Sequence, residues 1–129
     1  MVQQSEKFTQ AFEKHNSGQL TDARDMYLEV LQKEPENAQV WGYLGVLYYQ
    51  IKDYMEAELC IKKAISLNPR LYYIENLARI YLDKGEFKAA IALYEDIVKV
   101  SDTYENNFNL AMAYKGNHEW AQAKKTYYK

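Results

Sequence analysis

Apolar residues along the chain recur at i, i+3, i+4 and i+7, and a glycine or a polar cluster interrupts them at regular intervals. Trp41, Leu44, Gly45 and Tyr48 form one such stripe, and Ala57, Ile61 and Ala64 form the next. The spacing predicts paired amphipathic helices, and no two-residue alternation supports a strand. The pattern also repeats over the whole chain. A small residue in the second half of each unit, Ala23, Ala57, Ala90 and Ala123, returns after 34, 33 and 33 residues. Four positions after it stand Tyr27, Ile61, Tyr94 and Tyr127; nine before it stand Lys14, Tyr48, Tyr81 and Tyr114. A helical hairpin of this length cannot bury its apolar face alone, but stacked neighbours bury a continuous core. The expectation is eight helices of about 10 to 15 residues joined by short turns.

Local signals set the ends of these helices. Asp53, with Glu56 three residues on, suits an N-cap; Asn68 before Pro69 and Asp102 before Glu105 repeat that signal. Gly18, Gly85 and Gly116 fall near the end of a first helix, where a left-handed backbone favours glycine. Gly45, Ala78 and Ala111 are small enough to let neighbouring helices approach while Tyr and Trp fill the space beside them. Trp41 is expected to be a buried aromatic whose truncation to Ala costs about 3–5 kcal/mol.

In their order these residues resemble the tetratricopeptide repeat: Trp41, Leu44-Gly45, Tyr48, Ala57, Ile61, Ala64 and Pro69 in one unit. Leu77-Ala78, Tyr81, Gly85, Ala90 and Tyr94 match in the next, then Leu110-Ala111, Tyr114, Ala123 and Tyr127. The resemblance implies an all-α fold of helix-turn-helix repeats stacked into a right-handed superhelical solenoid. It implies a single domain over residues 1–129, with units at about 4–37, 38–70, 71–103 and 104–129, the last one truncated. Gln10, Lys14 and Asp102 depart from the usual Leu, Tyr and Pro. The first half also resembles the repeat arm that precedes the catalytic domain of bacterial O-GlcNAc-transferase-like glycosyltransferases.

Composition narrows the functional classes. Of 129 residues 48% are hydrophobic and 26% charged, ordinary globular values that exclude extensive disorder. A net charge of -2 gives no footprint for nucleic acid. The only apolar run of note, Val40 to Tyr49, is too short to span a bilayer, and the opening MVQQSEKF lacks the apolar core of a signal peptide. One cysteine, Cys60, permits no internal disulfide, so a reducing, cytoplasmic setting is expected. His15 and His118 lie at opposite ends of the chain, Cys60 has no histidine nearby, and the glycines do not cluster into a phosphate-binding loop. The expectation is therefore no catalytic, metal or cofactor site.

Binding is the remaining class. The family's groove positions, carried onto this sequence, imply that Phe8, Phe12, Tyr43, Tyr49, Tyr72, Asn76, Arg79, Phe108, Asn109 and Met112 face an extended peptide or protein segment. Asn76 and Asn109 hold equivalent places, where an amide can both donate to and accept from a peptide backbone. The aromatic members either offer contact area to a partner or pack between adjacent first helices. Three functions follow as expectations: a non-catalytic interaction scaffold, a substrate-recruiting arm of a larger enzyme, or a self-assembling module. The last would act through a C-terminal end where Tyr127 and Tyr128 lack a polar outer face.

Overall fold

The computed structural model describes residues 6–128, and among them every regular element is helical. The helices are α1 (Glu6–Asn16), α2 (Leu20–Lys33), α3 (Ala38–Gln50), α4 (Tyr54–Leu67), α5 (Leu71–Lys84), α6 (Phe87–Val100), α7 (Tyr104–Gly116) and α8 (Trp120–Tyr127). They pair in sequence as four antiparallel hairpins, the eight-helix all-α repeat fold that the periodicity predicts.

The chain divides into two compact units, Met1–Pro69 and Arg70–Lys129. In the first, α1 packs on α2 and α3 on α4, and α2 meets α3. Phe8, Ala11, Tyr27, Val30, Val40, Leu44 and Leu47 form its core, with Ile61 fully buried beside them. In the second, α5 packs on α6 and α7 on α8, while α7 reaches both α5 and α6. Its core holds Ala78, Ala90, Tyr94, Ile97, Leu110, Ala113 and Tyr114. Burying one such large apolar side chain contributes about 1.5–3 kcal/mol, so these stripes outweigh the modest helix propensity of the tyrosines. The repeat anchors Ala23, Ala57 and Ala90 have no exposed surface at all, because a second helix crosses each of them closely.

Each hairpin turn is closed by the same backbone device. Gly18, Lys52, Gly85 and His118, one per repeat, adopt positive φ of 83°, 65°, 81° and 63°. Each donates its N–H three residues back, and the following residue donates five residues back: Gln19 to Lys14 (2.9 Å), Asp53 to Tyr48 (2.9 Å), Glu86 to Tyr81 (2.9 Å) and Glu119 to Tyr114 (2.8 Å). This Schellman-type closure satisfies carbonyls that the ending helix leaves open. The repeated aromatic position is thus also where the backbone turn is tied.

Four sequence expectations shift. Gly116 is the last residue of α7 and not the left-handed one; that place falls two residues later, on His118. Gly116 is instead a contact glycine, since a Cβ on it would stand only 2.3 to 2.5 Å from ring carbons of Phe87. Asn68 closes α4 through its N–H to the Ala64 carbonyl (2.9 Å). Pro69 disfavours a helical Asn68, and α5 begins only at Leu71. Thr103, not Asp102, caps α7 by accepting the Asn106 N–H (3.1 Å), while the Asp102 carboxylate accepts from the Asn107 amide (2.6 Å). Trp41 is only partly buried: its indole N–H reaches the Pro35 carbonyl (2.8 Å), which holds one edge of the ring at the surface. Asp53 does cap α4 as expected, accepting the Glu56 N–H.

Candidate functional site

The ten residues singled out by sequence all lie on first helices of hairpins: Phe8 and Phe12 on α1, Tyr43 and Tyr49 on α3, Tyr72, Asn76 and Arg79 on α5, and Phe108, Asn109 and Met112 on α7. Repeat register explains this, because the same few helical positions recur in every unit.

Within the first unit Phe8, Phe12 and Tyr43 come together. Their ring centroids are 5.8 Å (Phe8 to Tyr43), 5.1 Å (Phe12 to Tyr43) and 6.3 Å (Phe8 to Phe12) apart. Tyr27 of α2 stacks on Tyr43 at 6.3 Å. Phe8 is buried in this cluster, whereas Phe12 and Tyr43 keep part of their surface. Tyr49 stands apart, against Tyr54 at 5.9 Å. His15 ties the cluster to three helices: its Nε2 lies 2.7 Å from Gln50 Oε1 and its Nδ1 lies 2.9 Å from the Tyr27 hydroxyl. Since Oε1 only accepts, Nε2 carries the proton and Nδ1 accepts from Tyr27 in the neutral ring. The Tyr27 side chain is fully buried, and burial raises its phenol above the ordinary range.

The second unit gathers polar groups on α5 and α7. Asn106, buried, donates Nδ2 to Glu75 Oε2 (2.9 Å) and to the Ser101 carbonyl (3.1 Å). Arg79 lies 3.8 Å from Glu105, both well exposed, a pair of little energetic weight. Asn76 is half-buried, with its Nδ2 enclosed and lacking a hydrogen-bond partner. Asn109 is buried. Tyr72 is 53% exposed beside Tyr73, and Phe108 packs against Tyr104 and Tyr127 at 6.1 Å each. Met112, also on α7, is partly exposed.

Asn106 was missed by pattern reading. It occupies the register position of Val40 and Tyr73, both buried, so a polar residue at a core place was the available signal. Two turns further along α7 the Tyr114 hydroxyl donates to Glu95 Oε2 at 2.5 Å; burial, then this bond, raises the phenol.

Among the described residues no group of three or more His, Cys, Asp or Glu is placed to hold a metal ion. No described helix is long and apolar enough to cross a membrane. Cys60 is a buried free thiol, pushed up to about 12 by burial and then by Glu56 and Asp53, and so is no nucleophile at neutral pH.

Models of the tetratricopeptide repeat match residues 38–71 and 74–106, together just over half of the chain. Human Superkiller complex protein 3 is 30% identical over 89 residues, 68% of this chain and 6% of that protein. The human protein O-mannosyl-transferase TMTC3 is 32% identical over 62 residues, 48% of this chain and 7% of that protein. Among solved structures, MamA from Desulfovibrio magneticus RS-1 superposes with a TM-score of 0.87 at 16% identity, covering 95% of this chain and 72% of that one. A Thermobaculum terrenum O-GlcNAc transferase superposes with a TM-score of 0.73 at 21% identity, covering 92% of this chain and 25% of that one.

Proposed function

Because the chain belongs to the tetratricopeptide repeat family, we propose that it is a non-catalytic scaffold whose first helices hold an extended peptide or protein segment. Asn76 carries the reading. A buried amide donor without a partner costs about 1–3 kcal/mol, a cost relieved when a neighbouring side chain moves aside and a peptide carbonyl reaches the amide. Tyr72, one helical turn earlier on the same face, is exposed and offers rigid aromatic area to the same segment. Partly exposed Phe12, Tyr43 and Tyr49 in the first unit add a mixed aromatic surface of the same kind. The ligand that fits is a peptide of apolar or mixed composition, recognised through its backbone and one or two apolar side chains. A reducing, cytoplasmic location belongs to this proposal and rests on the lone unpaired Cys60.

The test is affinity purification from native extract with the wild-type chain, an Asn76→Ala chain and a Tyr49→Ala, Tyr72→Ala chain, all matched for helical content. The expected result is a partner segment that the wild type binds at least about tenfold more tightly than either variant, a difference of about 1.4 kcal/mol. Equal affinity for all three would sink the reading.

A second reading, a recruiting arm within a larger enzyme, draws on the small share of its relatives that the chain spans: 6% and 7% of the two human proteins, one of them named as a transferase. A gene continuing into a catalytic domain would favour it. A gene ending near Lys129 would leave the free scaffold.

A further inference from the structure

Helix α4 carries an apolar stripe on the side away from its core. Ile51, in the turn before the helix, is 44% exposed, and Met55 and Leu59 are 73% and 62% exposed. Four-residue steps put Met55 and Leu59 on one face, while Ala57, Ile61 and Ala64 are buried on the opposite one. The other hairpins provide an internal comparison at the same two register positions. They carry Thr21 and Asp25, Lys88 and Ala92, Ala121 and Lys125. Only the second hairpin places two large apolar residues there, so the stripe is a feature of this unit and not of the repeat.

Charges beside the stripe indicate what covers it. Glu56 and Lys63 lie seven residues apart, two helical turns, and therefore on the same flank of the stripe. Neither side chain makes an ion pair among the described residues. On the other flank Glu58 and Lys62 already satisfy each other at 2.7 Å. One flank thus presents an unpaired acid near the start of the helix and an unpaired base near its end.

We propose that α4 is the contact helix of a homodimer, packed antiparallel on α4 of a second copy about a two-fold axis. An isologous contact brings residue i against residue j and j against i. An antiparallel pair centred midway between Glu56 and Lys63 sets Glu56 opposite the partner's Lys63 and Lys63 opposite the partner's Glu56. That midpoint falls beside Leu59, so the two leucines pack on each other at the axis while Met55 extends the apolar contact. Parallel pairing would bring like charges together and so is the less favourable arrangement. One helix pair covers less than a standard interface, so the dimer is weak and concentration-dependent. It uses none of the residues assigned to peptide binding, so the two proposals stand or fall separately.

Sedimentation equilibrium from about 10 μM to about 1 mM tests this. The apparent mass is expected to rise from 15.2 kDa toward twice that value. Leu59→Lys should hold the chain at the monomer mass throughout, with unchanged helical content because the side chain is exposed. Glu56→Lys and Lys63→Glu, made singly, should each weaken the dimer at least tenfold, and the double charge swap should restore it. A wild-type chain that stays monomeric at the top concentration overturns the proposal. So does a dimer that Leu59→Lys leaves intact, including one that Tyr127→Ser with Tyr128→Ser abolishes instead.

Discussion

Lys52 and His118 occupy the same left-handed backbone conformation, with φ of 65° and 63°, at the repeat position where the other two hairpins have Gly18 and Gly85. A side chain pays a steric penalty in that region that glycine does not, about 1–2 kcal/mol, partly offset by the greater freedom of glycine in the unfolded chain. Lys52→Gly and His118→Gly are each expected to stabilise the protein by about 0.5–1 kcal/mol, and Gly85→Ala to destabilise it by about 1 kcal/mol. Thermal melts read all three, with shifts of about 2–4 °C per kcal/mol.

Gly45 and Ile61 are matched in size. A Cβ on Gly45 would stand 2.6 Å and 2.7 Å from the Ile61 side chain and 3.3 Å from its backbone nitrogen. The other three repeats have Ala11, Ala78 and Ala111 at this place, and each has a tyrosine where this one has Ile61. Gly45→Ala is expected to cost about 2–3 kcal/mol by overpacking, since both Ile61 and its backbone are fully enclosed. Adding Ile61→Tyr should recover part of the loss. A denaturant double-mutant cycle checks this, and zero coupling would contradict it.

Gly116 provides the contrast. Its close neighbour is the ring of Phe87, a partly buried side chain at the start of α6. The ring can swing outward, so Gly116→Ala should cost less than Gly45→Ala, on the order of 1 kcal/mol. Equal losses measured by urea unfolding would show that Phe87 is as immobile as Ile61.

Cys60 gives a pH dependence with a definite sign. Its folded thiol is pushed up to about 12 by burial and neighbouring carboxylates, whereas an unfolded cysteine ionises near about 8.5. The native state therefore retains a proton that the unfolded state releases. This stability is fully present below about pH 8.5 and is lost as pH rises toward about 12. The buried phenols of Tyr27 and Tyr114 shift in the same direction and extend the loss at still higher pH. Urea midpoints should be level through neutral pH and fall above about pH 9, with less of a fall for Cys60→Ala. Iodoacetamide at neutral pH should leave the native thiol unmodified and label it after unfolding.

Period and register were legible because they are carried by residue types at fixed spacing. The alanine anchors, the tyrosines at the turn and the eight helices stand where the sequence places them, although α8, at 8 residues, is shorter than expected. The turn glycines were half legible: Gly18 and Gly85 mark the left-handed position, but Lys52 and His118 reach it under the force of the repeated hydrogen bonds around them. The site was less legible. Asn106 bonding to Glu75 and His15 bridging Tyr27 to Gln50 depend on which helix lies opposite, and no local spacing encodes that. Likewise Phe8 and Asn109 are buried while Tyr72 is exposed, although all three fall at candidate positions on first helices.

The left-handed turn positions also make the molecule readable from outside. Nothing lies within 4 Å of a Cβ placed on Gly18 or Gly85, and the side chains of Lys52 and His118 are exposed. With Cys60 chemically silent, Lys52→Cys together with His118→Cys would supply the only thiols a maleimide dye finds. A donor and acceptor attached there would report, molecule by molecule, how their separation responds when a ligand arrives, at the loss of one surface contact, that of the His118 ring with Trp120 at 6.0 Å.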